Sequence, residues 1–499
     1  MMLVEAVLLF VSVVFLLYIY RYITAGSTNM PPGPTPLPLI GNLLSIKSSN
    51  IHFELANLAK THGDIMMIEL FGMKIVVVTS GPLAREVLMG KHINDFAGRP
   101  KRFTFEYMSK GYKDIALNDY SPGLVWKRKI VHSGLRKYFP SLGDTIAKEL
   151  AKLEDKLNSD VGVPVDSKDE FFLLVLNIIC SFLSGKAFDK EDPEFSETLE
   201  LVTKTVDTLS MSASILDAFP FLIHFPLQAS KNFKRIAELR DKLMGNILTF
   251  HKETFNENHI RDLTDAFLKA KLDIEREDKK AAGEVTDEEV ALMMMDVYLA
   301  GLETTVTSLR WIIAYLMNNQ EVQSRVQSRI DDVIGDRRPL MSDRQGLPYM
   351  EALVAEVLRL SPPIPLGLPH KSILDTTIDG YTIPKGTTVL FNLWAIHHDP
   401  REWPEPDKFD PDRFINEDGK FEVPGDRNFL PFMAGRRVCL GESLAKMELF
   451  LIMTRLLQQF TFEPPTGHPP PELTGISAAT YFPKPYSFCA KPRKGRTST

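Results

Sequence analysis

The sequence predicts a mainly α-helical protein with a small β-rich part, preceded by one N-terminal transmembrane helix. Three observations carry that expectation. Apolar residues recur at helical spacing through most of the stretch from about 140 to 335. Short β-type runs flank Gly72 and the pair Asp379-Gly380. Ahead of both stands an unbroken apolar run at residues 6–20.

That run, AVLLFVSVVFLLYIY, falls slightly short of the about 20 apolar residues a spanning helix needs. Tyr18, Tyr20 and Tyr22 suit the interface and extend its reach. A cleaved signal peptide is the alternative, with small residues at Thr24-Ala25-Gly26. Arg21 follows the run and Glu5 precedes it, the reverse of a signal peptide, so a permanent anchor with a lumenal N-terminus is favoured. Residues 31–38, PPGPTPLP, form a stiff spacer that cannot be helix or central strand. The expected organisation is therefore an anchor at 1–22, a proline-rich hinge at 23–38 and one body at 39–499.

Within the body, DIMMIELF and KIVVVTS read as one hairpin and TTI-Asp379-Gly380-YTI as a second. Residues 214–227, SILDAFPFLIHFPL, are either a buried loop or a surface that dips into a bilayer. Thr286-Asp-Glu-Glu289 is a capping box opening a helix toward Asn318, apolar on every face at ALMMMDVYLA and so expected inside the protein. Glu356 and Arg359 share one face of a helix ended by Pro362-Pro363.

A chain of 44% hydrophobic and 24% charged residues has a large core, and a net charge of −6 is too mild to argue for nucleic acid. Three cysteines are too few, and odd in number, for a disulfide framework. Cys180 and Cys489 lie in apolar stretches and read as core. Cys439 differs. It sits in Phe432-Met-Ala-Gly435-Arg-Arg437-Val-Cys439-Leu-Gly441, just before an apolar-periodic helix. Helix N–H groups and the dipole favour its thiolate there, and the two glycines let the backbone turn tightly against a flat macrocycle. That arrangement suits an axial thiolate ligand for haem iron, with Arg437 able to pair with a haem propionate. Glu303-Thr304, in Ala300-Gly-Leu-Glu-Thr-Thr305, sets an acid beside a hydroxyl inside the apolar helix. Such a pair is costly unless used, although a threonine bonded back to its own helix is the ordinary alternative.

The Cys439 loop, the Ala300–Thr305 segment, Glu356-x-x-Arg359 and Pro411-Asp-Arg-Phe414 stand in the order and spacing of the cytochromes P-450, which this chain resembles over essentially its whole length. DIALNDYSPGLVW, PHK, NLWAIHH and KMELFLIMTRLLQQF are similar to the microsomal branch that holds steroid 17α-hydroxylase/17,20-lyase and the aryl-hydrocarbon-oxidising enzymes. The resemblance implies the cytochrome P-450 fold for the body at 39–499 and haem b ligated by the Cys439 thiolate. It implies that Thr304 and Glu303 are catalytic, hydrogen-bonding to dioxygen during its reduction and relaying protons, with Gly301 making room for dioxygen. Asp296, on nearly the same face, would line the substrate cavity. A Glu356–Arg359–Arg413 cluster would lock the ligand loop. Haem carboxylates would meet Arg437, His370, Arg99 and the helix bearing Trp126. Relatives carry an arginine four residues after that tryptophan, where Ile130 stands here, so Arg128 takes the role. Lys127 and Lys129 are a solvated face or a patch that docks an acidic reductase.

The implied activity is insertion of one atom of O2 into a lipophilic substrate, steroid-like or an aromatic xenobiotic, at the endoplasmic reticulum membrane with a cytosolic catalytic domain. Electrons would come from NADPH through the separate cytochrome P-450 reductase, with cytochrome b5 as an optional second donor, because the chain has no nucleotide-binding fingerprint. Two rivals are a thiolate-haem isomerase or lyase acting on peroxides, and a non-catalytic haem-binding membrane protein. An intact Glu303-Thr304 pair argues against both.

Overall fold

Side-chain caps mark where the helices begin. Ser80, Ser121, Asp166 and Thr286 each accept an N–H from the first turn that follows, satisfying donors that the helix itself leaves unpaired. At Thr286 the Glu289 side chain returns the bond, so the capping box forms as the sequence predicts. The computed structural model describes residues 29–46, 50–209, 212–277, 285–423 and 429–493, with Glu5, Ser12 and Val13 besides. The rest of the expected anchor at 1–22 lies outside the described residues.

In chain order the helices are α1 (Ile51–His62), α2 (Gly81–Met89), α3 (Phe103–Met108), α4 (Pro122–Ser159), α5 (Ser167–Leu183), α6 (Pro193–Thr208), α7 (Ser212–Ala218) and α8 (Gln228–Thr254). They continue as α9 (Leu263–Glu277), α10 (Asp287–Asn318), α11 (Gln320–Val333), α12 (Pro348–Leu360), α13 (Leu393–His397) and α14 (Glu442–Gln459). The expected helical stretch from 140 to 335 is thus present. Helix α10 is the axis of the fold, packed against α5, α8, α12 and α14. Its residues from Thr305 to Met317 are buried without a break, whereas the stretch ALMMMDVYLA expected inside buries Leu292, Met293, Met294, Met295 and Tyr298 and leaves Ala300 exposed. Among the described residues it is the one helix long and apolar enough to cross a membrane, and it lies in the core.

Both hairpins form. Strands β1 (Ile65–Leu70) and β2 (Met73–Val78) pair antiparallel around Phe71 and Gly72, whose φ angles are 49° and 83°. After the short β3 (Val165–Asp166) and β4 (His370–Lys371) come β5 (Thr376–Ile378) and β6 (Tyr381–Ile383), turning at Asp379 and Gly380 with φ of 49° and 78°. Strand β7 (Thr388–Phe391) runs parallel to β2 and antiparallel to β4, giving the sheet order β1-β2-β7-β4 with His370 on its edge strand. Strand β8 (Phe460–Glu463) pairs with the last one, β11 (Ser487–Pro492), which carries the buried Cys489. Between them lies the short pair β9 (Ile476–Ser477) and β10 (Tyr481–Phe482).

Two sequence expectations change. The proline segment is docked on the body: Met67 N donates to Pro32 O at 2.7 Å, and a Cβ on Gly33 would lie 1.9 Å from Met67 O. For the apolar stretch after Ser214 the buried-loop alternative fails. Phe219, Phe221, Phe225 and Leu227 are 45%, 57%, 52% and 43% exposed. Phe219 also stacks edge-on with Phe71 at 6.3 Å, joining this roof to the first hairpin.

Candidate active site

The loop ahead of α14 is built around backbone that few residues tolerate. Gly435 has φ +72°, and a Cβ there would lie 1.9 Å from Leu88 O, so the loop seats directly on α2. Cys439 N donates to Phe432 O at 3.0 Å, closing the turn. Cys439 is an exposed residue just ahead of α14, with its thiol beside the Gly441 and Glu442 backbone amides. Burial and then the Glu442 carboxylate raise the thiol's pKa, while those amides and Arg128 oppose the rise.

Around this loop the structure gathers the predicted cations. Arg437 donates from Nε to Ala97 O and from Nη2 to Asn118 O, both at 2.7 Å. Arg99 donates to Ala116 O at 3.0 Å and Pro369 O at 2.9 Å. Arg128 reaches Val438 O, the residue before Cys439, at 2.6 Å. Ile130 instead packs against the apolar core, as expected if Arg128 fills the cationic role. His370 is 2% exposed, and its Nδ1 lies 2.7 Å from Phe96 O. Trp126 is half-buried two residues before Arg128, and among the described residues its indole N–H has no acceptor.

Burial, then repulsion from Arg437 and Arg128, pushes the Arg99 pKa well down. Burial, then Arg128, brings Arg437 to about 10. Burial, then Arg99, holds His370 far below its usual range and therefore neutral. None of the three arginines makes an ion pair among the described residues; carbonyl oxygens accept their guanidinium N–H groups, while Asp119, which accepts the Arg99 backbone N–H at 3.1 Å, and Asp114 offset only part of the charge on Arg99 and Arg437. Positive charge concentrated below the surface with so little counter-charge is costly, and a group carrying carboxylates would relieve it. With an accessible sulfur at a helix N-terminus beside them, these residues fit haem.

Helix α10 supplies the other wall. Although mostly buried, it leaves Val297, Ala300 and Thr304 accessible at intervals of three and four, one stripe of its surface. Thr304 donates its hydroxyl to Ala300 O at 2.6 Å, so in this state the back-bonded arrangement holds and the oxygen's lone pairs face outward. Glu303 accepts from Thr307 at 3.3 Å and Thr480 at 3.2 Å, and burial raises its pKa despite Lys168 and Arg310 nearby. Gly301 is partly exposed between Val297 and Thr304, but the position its Cβ would take points to α5. A Cβ there would meet Ile179 Cδ1 at 2.7 Å, so this glycine lets α5 approach. Asp296 is no free cavity-lining acid either. It accepts Ile115 N at 2.6 Å and Ala116 N at 3.1 Å, and burial raises it to about 6, while burial and then Asp296 raise the neighbouring Asp114 well above its usual range. Since Ala116 O also receives Arg99, one line of bonds runs from α10 to the cations of the ligand loop.

A second line comes from α12. Glu356 and Arg359, both fully buried, pair at 2.7 and 2.8 Å, and Arg413 Nε lies 3.4 Å from Glu356. Arg359 also donates to His397 O at 2.8 Å, and His397 Nε2 accepts Leu430 N at 2.9 Å, just before the ligand loop. His397 was not singled out by sequence; its signal is the buried HH ending α13. Lys127 needs correction as well. It is 5% exposed and pairs with Glu289 at 2.7 Å, so it is part of the core, while Lys129 is exposed.

The cytochrome P450 family model matches residues 31–490. Steroid 17-alpha-hydroxylase/17,20 lyase of Ictalurus punctatus is 39% identical over 93% of this chain and 91% of its own length. Cytochrome P450 2D3 of Rattus norvegicus is 35% identical over 94% of each chain. A zebra fish cytochrome P450 structure with progesterone aligns at a TM-score of 0.79 and 33% identity, covering 88% of this chain and 99% of that one. The chain belongs to the cytochrome P450 family: it is a haem-thiolate monooxygenase, an oxidoreductase that uses O2 on lipophilic substrates. The two rival readings give way to this class.

Proposed function

We propose that this chain hydroxylates steroid-like substrates at the endoplasmic reticulum membrane, with Cys439 as the iron ligand and Glu303-Thr304 as the proton-handling pair. The observation that carries the reading is the set of unpaired cations, Arg99, Arg128 and Arg437, gathered around an accessible helix-terminal thiol. Bound haem supplies the activation of dioxygen. The chain's residues do the rest. Arg99, Arg128, Arg437, His370 and the Trp126 indole N–H would hold the haem carboxylates. Amide N–H groups at the start of α14 hold charge on the sulfur. Glu303, its pKa raised by burial, and the Thr304 hydroxyl pass protons along the accessible stripe of α10. The apolar face at Val297 and Ala300 excludes water and suits a lipophilic substrate.

The steroid preference rests on likeness to the steroid 17-alpha-hydroxylase/17,20 lyases and the progesterone-bound structure. Electrons would reach the site from NADPH through the reductase, with cytochrome b5 as a further donor, docking on exposed basic residues such as Lys129 rather than on Lys127. The anchor at 1–22, the proline-rich segment at 23–38, docked on the body at Pro32, and the catalytic domain at 39–499 complete this proposal. The exposed Phe219, Phe221, Phe225 and Leu227 would enter the bilayer beside the anchor. The test is a screen of steroids, polycyclic aromatics and fatty acids, with reductase, for substrate-induced haem spectral change and for product formed per NADPH. A steroid response is expected; a response confined to another class overturns the substrate assignment.

A further inference from the structure

Helix α14 carries one acid with no evident use. Glu448 stands in AKMELFLIM, on the second turn after the ligand loop, and its side chain is fully buried. Its Oε2 accepts the Thr305 hydroxyl at 3.1 Å, and its Oε1 has no partner. Thr305 is itself 2% exposed and follows Thr304 directly in the chain. Burial raises the Glu448 carboxyl to about 8, opposed only by the Thr305 bond. The charged pairs on neighbouring helices are engaged elsewhere: Glu154 of α4 with Arg455, and Glu356 of α12 with Arg359.

A leucine or methionine at this position would fill the space without burying an orphaned oxygen. What an apolar residue would not give is direction. Contacts between apolar faces resist sliding or rotation only through packing. A hydrogen bond between Thr305 and Glu448 sets one register.

We propose that Glu448 is a positioning residue whose bond to Thr305 fastens the helix bearing Glu303-Thr304 to the helix that begins behind Cys439. It thereby sets the spacing between the proton-handling pair and the ligand loop. The inference rests on the roles given above to Cys439 and Thr304.

The test uses holoenzyme with reductase and four variants: Glu448→Met, Glu448→Gln, Thr305→Val and the Met/Val double. Three readouts are taken: the reduced carbon monoxide spectrum, hydrogen peroxide released per product formed, and the unfolding midpoint against pH. Glu448→Met and Thr305→Val should keep the far-red Soret band and raise the peroxide-to-product ratio roughly tenfold, the scale of a slight misplacement of reacting groups. The double variant should be no worse than either single one, because both remove the same bond. Glu448→Gln retains an acceptor for Thr305 and should keep the ratio near that of the parent.

The pH arm tests whether Glu448 is held protonated in the fold; the peroxide ratio alone decides on positioning. The folded carboxyl titrates at about 8 against 4.5 for an ordinary glutamate. Its contribution to stability is therefore fully present below about 4.5 and is lost as pH rises toward and through about 8. Glu448→Gln should abolish that part of the fall in unfolding midpoint. An unchanged peroxide ratio in both Glu448→Met and Thr305→Val overturns the proposal, as does a double variant whose effect is the product of the two single effects. If Glu448→Met fails to bind haem, Thr305→Val against Glu448→Gln decides on the same criteria. A Thr304→Ala enzyme that stays coupled would instead overturn the proton-handling reading beneath it.

Discussion

Cys439 and Cys180 present the same side chain with opposite prospects. Cys439 is accessible, with amide N–H groups and Arg128 opposing the upward push of burial; Cys180 is fully buried on α5, where burial drives its thiol up to about 12. Cys439→Ser should abolish the far-red Soret band of the reduced carbon monoxide complex, whereas Cys180→Ser should leave it in place. A band that survives in Cys439→Ser would remove this residue as ligand. At Thr304 the hydroxyl rests on Ala300 O, and Thr304→Ala costs that bond little because the carbonyl keeps its helical partner. Loss of one well-placed donor where charge develops costs about 10²–10³ in rate. The expected result is intact haem and substrate binding with more peroxide per NADPH. Residues of this kind are legible in sequence because their chemistry demands a type at a spacing. Lys127 and Glu448 are not, since whether a charged side chain faces solvent or core depends on which helix lies against it.

Helices and hairpins were readable where local rules decide: the Thr286 capping box and the Asp379-Gly380 turn need only their own residues. The contacts that position the site are long-range and left no such mark. Glu356-x-x-Arg359 is a commonplace helical pair until Arg413, Pro406 O and His397 O converge on it from segments about 40 to 60 residues later. Once buried, the pair becomes the brace between α12 and the chain leading into the ligand loop. Removing one partner leaves the other charge uncompensated, which typically costs about 3–5 kcal/mol. Arg359→Leu should therefore lower the unfolding free energy from denaturant titration by that amount and yield mostly haem-free protein. Arg325→Leu breaks an exposed pair with Asp412 and should cost about 1 kcal/mol or less. Equal losses in the two variants would show that burial of the brace does not govern it.

At the scale of the whole molecule, one group of exposed apolar residues is joined by contacts. Leu39 and Leu44, just after the docked proline segment, are 65% and 66% exposed, and the Gly41–Leu70 bridge brings their stretch of chain next to Phe71, which meets Phe219 of the apolar stretch after Ser214. Large contiguous apolar surface on a protein usually marks a contact site. Because the proline segment is fastened to β1 by Pro32 O and Asn42, an anchor preceding it would hold this face toward the bilayer rather than swing freely. Two independent contacts should then show as two steps in vesicle flotation. Deleting residues 1–28 should leave haem binding intact, since the bonds from Asn29 onward remain, while part of the protein still floats with the vesicles. Adding Phe219→Ser, Phe221→Ser and Phe225→Ser should release that remainder, because each buried aromatic contributes about 2–3 kcal/mol of transfer free energy. If the truncated protein is wholly soluble before the roof is altered, the roof is not a membrane contact. If haem binding fails on truncation, the segment before Asn29 belongs to the fold rather than to an anchor.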